Sequence, residues 1–264
     1  MKIFSQKTVF AVLVLLSLST ISACSKAPQV KETPAEGVET QSGLLASEAQ
    51  GWWYLRYKIY WPGADELNDS ENGNDTQDTQ EQPSWYMGPL IADQIVAPVI
   101  KQLGQDLFLW RFHRRAADDS SGHQFSFIFY STPEVADRVA EAIKANPLVD
   151  QLIEAGLLVE VKYPDTAIID KPRISDTSDQ DWPDEIQTSW PIFIMGASQM
   201  WLMMVETIAD ANPEAEKVRS VDELVTLYQA VEEKIDTLWR TESRHAYFHH
   251  LNALFGYEQL LVRF

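Results

Sequence analysis

Five residues in one short stretch, Arg111, His113, Arg114, Arg115 and His123, concentrate positive charge in an otherwise acidic chain. The whole sequence holds 21 Lys and Arg against 39 Asp and Glu, a net charge of −18. Guanidinium groups grip carboxylates and phosphates through parallel N–H donors, so one reading of the cluster is an anion site. The other is that these cations neutralise the chain's own acids, Asp118 and Asp119 lying beside them in the sequence. Alternation along 107–113 puts Arg111 and His113 on one face of a strand, and Phe108, Trp110 and Phe112 on the other.

Glu242, His245, His249 and His250 form a second group near the C-terminus. Spacings of three and four place the first three on one helical face, a geometry able to hold zinc. Ala246 stands where the metalloprotease pattern needs Glu, so that pattern fails and no metal site is expected. Exposed or partly packed histidines are the plainer reading. Neither a G-x-S-x-G nucleophile turn nor a phosphate-cradling G-x-x-x-x-G-K or G-x-G-x-x-G occurs, and no cofactor is implied. The negative balance argues against nucleic acid as a partner.

These residues need elements to position them. Residues 52–61 alternate, with Trp53, Leu55, Tyr57 and Ile59 on one face and Trp52, Tyr54, Arg56 and Lys58 on the other, a strand. Leu90, Ile91, Ile95, Val99 and Leu103 have helical spacing that Gly104 closes. Residues 107–113 and 123–130 are strands of a hairpin turning through 118–122. Thr132-Pro133 opens a helix, Asn146-Pro147 restarts it, Gly156 ends it, and 157–163 is a fourth strand. The order β-α-β-β-α-β predicts a ferredoxin-like α+β unit over 51–165, an antiparallel sheet with both helices on one face.

Residues 62–84 carry seven acids and no base, which predicts a disordered loop; a calcium loop lacks support because the ligand alternation and closing Glu are missing. An acidic linker over 166–187 precedes a helical part, 188–264, packed on the sheet. Residues 186–205 carry no charge, and with Pro191, Gln187 and Gln199 inside them they favour a helix at the centre of a domain over a membrane span. Ser220 and Glu223 make a capping box for a helix with an apolar stripe from Leu224 to Leu238. A last helix, 242–255, is expected to bury Phe248, Leu251, Leu254 and Phe255.

The first 23 residues place Lys2 and Lys7 ahead of an uncharged run, 8–20, too short for a bilayer that needs about 20 helical residues. Ile21-Ser22-Ala23-Cys24 follows, and Cys24 is the chain's sole cysteine. The stretch resembles the lipobox of bacterial lipoproteins. The resemblance implies a cleaved signal peptide (1–23), lipidation of Cys24 and attachment to a membrane, with 24–50 as a flexible tether. Ser25 in place of Asp points, by the same resemblance, to the periplasmic side of the outer membrane. Without residues 1–23 the balance is 19 basic against 39 acidic side chains.

Trp53-Tyr54-Leu55-Arg56-Tyr57, Leu107-Phe108-Leu109-Trp110-Arg111-Phe112, His123, and His250-Leu251-Asn252-Ala253-Leu254-Phe255-Gly256 are similar in order and spacing to the C-terminal elimination domain of lantibiotic dehydratases, the thiopeptide-type bacteriocin biosynthesis domain. The similarity spans roughly 52–256. It implies that Arg111, His123 and His250 meet across a cleft, joined by Asn252 and Arg56, as a site for an anion such as a peptide carboxylate. The chain departs from the family where His123-Gln124-Phe125-Ser126-Phe127 lacks two arginines, and where Phe248 replaces a histidine. The expectation is therefore a shared scaffold that binds a peptide or protein partner, with lyase chemistry as the alternative. The oligomeric state stays open.

Overall fold

Strand β1 (Gly51–Ile59) runs through the middle of a four-stranded sheet, because it can pair on both sides and bury one face of alternating Trp53, Leu55, Tyr57 and Ile59. The structure is a computed structural model that describes residues 49–61, 83–115, 122–217 and 220–258. The signal peptide, Cys24, the tether up to 48 and the acidic loop 62–82 lie outside the described residues.

Helix α1 covers 87–103, with α-helical ends (Met87–Ile91 and Ala97–Leu103) around a π-helical turn at Ala92–Val96. It leads into β2 (Leu109–Arg115) and β3 (Gln124–Ser131). Helices α2 (Pro133–Lys144) and α3 (Pro147–Glu154) precede β4 (Leu158–Lys162). Their starts follow the sequence signals: Thr132 Oγ1 accepts the Val135 N–H, and Asn146 Oδ1 accepts the Leu148 N–H, each satisfying an otherwise orphaned donor.

The sheet order is β2-β3-β1-β4 with every neighbouring pair antiparallel. β1 and β2 are thus parallel with β3 inserted between them, and β3 and β4 are parallel with β1 inserted. The result is a mixed α/β fold, mostly helical, on an antiparallel sheet.

One sheet face carries the core. Phe125, Phe127 and Phe129 of β3 pack with Leu55 and Tyr57 against Leu90, Ile91 and Ile95 of α1 and Val139 and Ile143 of α2. Each such side chain contributes at most about 1.5–3 kcal/mol by leaving water. Stacking of Phe127 on Phe129, with centroids 5.0 Å apart, ties successive β3 positions together.

The expected acidic linker is a strap across the opposite sheet face. The Trp52 indole donates to the carbonyls of Arg173 (3.1 Å) and Ile174 (3.0 Å), and the Tyr130 hydroxyl to Pro172 (2.5 Å). Gly51 lets the strap approach, since a Cβ there would lie 2.5 Å from Ile169 Cγ2. Trp52, Leu109, Ile128 and Tyr130 form a small second core beneath it.

Two expectations for the C-terminal part need correction. Helix α4 (Asp184–Asp210) contains the uncharged run but is not buried at the centre of the fold. One stripe, including Ser198, Leu202 and Val205, is buried, and at the outer edge of β2 Ser198 Oγ accepts the Phe112 N–H at 3.1 Å. Covering an edge strand in this way removes a pairing surface. The far side of α4 meets nothing among the described residues, and Ile192 (67%) and Met203 (59%) are exposed there. It is long and apolar enough to cross a membrane by length and composition.

Helix α5 (Val221–Leu238) has the Ser220–Glu223 capping box and buries Leu224, Leu227, Tyr228, Val231 and Ile235 as its stripe requires. It continues without a break through a π-helical stretch, Trp239–His249, into α6 (His250–Ala253). The expected core face there does not form: Phe248, Leu254 and Phe255 are exposed, because no further layer among the described residues covers this end.

Candidate anion site on the strapped sheet face

Strand register decides which polar residues share a surface. Arg111 of β2 is opposite Ile128 of β3, which is opposite Tyr54 of β1; one row along, His113, Ser126 and Arg56 align, with Lys162 of β4 beside Arg56. Arg111 and Arg56 therefore lie on the strapped face, one row apart. The Arg56 guanidinium sits 4.5 Å from the Tyr54 ring centroid. From the strap, Lys171 Nζ donates to the Tyr54 hydroxyl at 3.0 Å and lies 5.1 Å from the same ring.

Arg111 is half-buried, and its Nε is closed off from solvent with no hydrogen-bond partner. Burial pushes its guanidinium below the ordinary arginine value, with the Tyr54 phenol acting in the opposite sense. Among the described residues no carboxylate pairs with Arg56, Arg111 or Lys171. The adjacent pairs, Lys162 with Glu160 and Arg173 with Asp176, are self-contained. Two cations, from β1 and the strap, thus lie against one tyrosine, and Arg111 shares their sheet face two strands away.

The remaining members of the expected site are elsewhere. His123 precedes Gln124, which shares the strapped face with Arg115, so its side chain falls on the other side of the sheet. It is buried edge-on to Trp85 at 5.1 Å and bonds the Arg115 carbonyl at 3.2 Å; a carbonyl only accepts, so Nδ1 carries the proton. Burial lowers its basicity, and Arg114 lowers it further.

His250 and Asn252 find their partners within the terminal segment. His249 stacks on His245 at 4.9 Å and meets His250 at 5.3 Å and Tyr257 at 5.4 Å; Asn252 Nδ2 donates to the Glu258 carbonyl. This segment is held to α4 through the Tyr247–Met204 contact, and Trp239 packs on Phe248 within it. The structure brings together Arg111 and Arg56, and not His123, His250 or Asn252. No cluster of His, Cys, Asp and Glu among the described residues is arranged to hold a metal ion.

Arg114 behaves as the alternative reading of the cationic cluster expected, with a more distant acid than Asp118 or Asp119. Its Nη2 donates to Glu232 Oε1 and to the Trp85 carbonyl, both at 2.7 Å, and its guanidinium lies between Trp85 (5.2 Å) and Trp201 (5.5 Å). Gly88 makes room, since a Cβ there would sit 2.9 Å from Arg114 Nε. This pair borders an apolar cleft of about 410 Å³ between α4 and α5, lined by Met200, Trp201, Met204, Ile235 and Trp239 among others.

Sequence reasoning missed Lys171 and Tyr54. Lys171 sits in a stretch read as linker, and only the strap's crossing of the sheet brings it to β1. No family model matches this chain, nor does any curated protein or solved structure.

Proposed function

We propose that this protein is a lipid-anchored lipoprotein of the bacterial envelope, attached through Cys24 on the periplasmic side of the outer membrane. In this reading it binds an anionic partner, a peptide or protein bearing an accessible carboxylate or similar group, and does not catalyse a reaction. The observation that carries the binding is the unpaired state of Arg56, Arg111 and Lys171 among the described residues of a chain with 39 acids. Acids are abundant enough to neutralise these cations, and leaving a buried donor unmade costs stability. A partner that supplies the missing acceptors offsets that cost.

The anchor rests on the sequence Ile21-Ser22-Ala23-Cys24 behind a charged and apolar leader. The finer fold assignment is a ferredoxin-like β-α-β-β-α-β unit followed by a helical C-terminal half. It is supported by the strand order, β4-β1-β3-β2 when taken from the other edge, and by the two crossovers that each span an inserted strand. The alternative, a lyase-like enzyme related to lantibiotic dehydratase elimination domains, requires Arg111 to meet a histidine. His123 and His250 have other neighbours, so binding is the reading we favour.

Two measurements test the two halves separately. Cys24→Ser should abolish palmitate labelling and release the protein from membranes; a wild-type chain without lipid by mass spectrometry removes the anchor from the proposal. A short peptide with a free C-terminal carboxylate should bind better than its amidated twin, and Arg111→Gln should erase the difference. Equal binding of the two peptides by the wild type overturns carboxylate recognition.

A further inference from the structure

The groups around Tyr54 are donors with almost no acceptor among them. A guanidinium carries five N–H donors and an ammonium three, and neither accepts. The Tyr54 oxygen accepts from Lys171 Nζ, which leaves its own O–H free to donate outward. Arg56 and Lys171 lie 4.5 and 5.1 Å from the Tyr54 ring centroid, and Arg111 shares that sheet face from β2, with Ile128 of β3 between. No carboxylate among the described residues pairs with any of the three, since Glu160 pairs with Lys162 and Asp176 with Arg173.

A carboxylate brings one charge and two oxygens to such a site. A phosphate monoester brings a charge of about −1.5 to −2 near neutral pH and three strong acceptor oxygens. We propose that Arg56, Arg111, Lys171 and the Tyr54 hydroxyl form a binding site for a dianionic phosphate group. This rests on the anion-binding reading above and narrows it.

Lys171 supplies the added charge that separates a dianion from a monoanion, while Arg111 is needed for both. The strap fixes Lys171 through the Trp52 N–H to Lys171 carbonyl bond at 3.0 Å, so the ammonium is presented on a backbone pinned to β1. The phosphate has two chemical sources, a soluble phosphomonoester or the headgroup of an anionic lipid.

The test uses the mature chain with Cys24→Ser, so that no acyl chain contributes, titrated calorimetrically at pH 7.5 and low salt with phenyl phosphate and with benzoate. Phenyl phosphate should bind at least tenfold more tightly than benzoate. Lys171→Gln should reduce that preference to within about threefold, and Arg111→Gln should weaken both probes at least tenfold, with the melting temperatures of the variants checked for intact folding. Co-sedimentation with phosphatidylcholine vesicles containing one-tenth phosphatidic acid, and not with phosphatidylcholine alone, assigns the phosphate to a headgroup. Binding of phenyl phosphate without sedimentation assigns it to a soluble ligand. Equal affinity for the two probes, still dependent on Arg111, overturns the dianion assignment and leaves anion binding standing. If neither probe nor the phosphatidic acid vesicles bind, both inferences fall.

Discussion

Replacing Arg111 by Met should make the unliganded protein more stable, which is the reverse of what most substitutions at half-buried positions do. Arg111 Nε is buried without a partner, and one unmade buried hydrogen bond costs about 1–3 kcal/mol. Its guanidinium also has no carboxylate partner among the described residues, and burial disfavours its charged form, so removing the charge relieves a desolvation cost as well. Met keeps most of the apolar length of the arginine stem. Because Arg111 is only half-buried, the lower part of the range applies, about 1–2 kcal/mol. For a domain of this size each kcal/mol moves the melting temperature by roughly 2–4 °C, so Arg111→Met should melt about 2–8 °C higher in a buffer free of phosphate. Adding phosphate at about ten times its dissociation constant should raise the wild type by some 1.4 kcal/mol and the variant by no more than about 0.4 kcal/mol. Scanning calorimetry of both proteins with and without phosphate reads all four values. A variant that melts below the wild type without ligand would mean that Arg111 is a structural residue, and the argument for a ligand would lose its foundation.

Arg114 should behave in the opposite way. Arg114→Leu strands Glu232, whose Oε2 is already unpartnered; removing one member of a buried pair costs about 3–5 kcal/mol, and the exposure of roughly a quarter of each side chain reduces this to about 2 kcal/mol. Urea midpoints should recover in the double variant Arg114→Leu, Glu232→Leu, and a double variant no better than the single one would refute the pairing argument. Asp93, at the π-helical turn of α1, bonds Tyr228 and Gln94, yet burial raises its pKa above the ordinary carboxylate value, with Glu206 and Asp210 adding to the effect. The folded state therefore holds that proton more tightly than the unfolded chain. The stability this group contributes is fullest below about pH 4 and is lost as the pH rises through the folded value. Asp93→Asn should accordingly gain stability relative to wild type between pH 4 and pH 7, and a relative loss over that interval would contradict the burial assignment.

The elements that the sequence alone determined are those specified within a few residues of themselves. Thr132, Asn146 and Ser220 cap the helices that follow them, because a side-chain oxygen two or three residues away is enough to satisfy a free N–H. Alternation marked the strands and put Arg111 opposite in sense to Trp110, because side chains on one strand have a period of two. That periodicity says nothing about the neighbouring strand. The register that aligns Arg111 with Ile128 and Tyr54 sent His123 through to the far face, and register is a property of pairing. Composition likewise could not say how many layers would cover α4. A 20-residue run without charge is equally consistent with a core helix and with one seated by a single stripe on the edge of β2, and only the placement of its neighbours chose the second. Lys171 is the clearest case. Its position is more than a hundred residues from Tyr54 in the chain, and what joins them is a strap that crosses the sheet because Trp52, Tyr130 and Ile128 offered an apolar surface still to be covered.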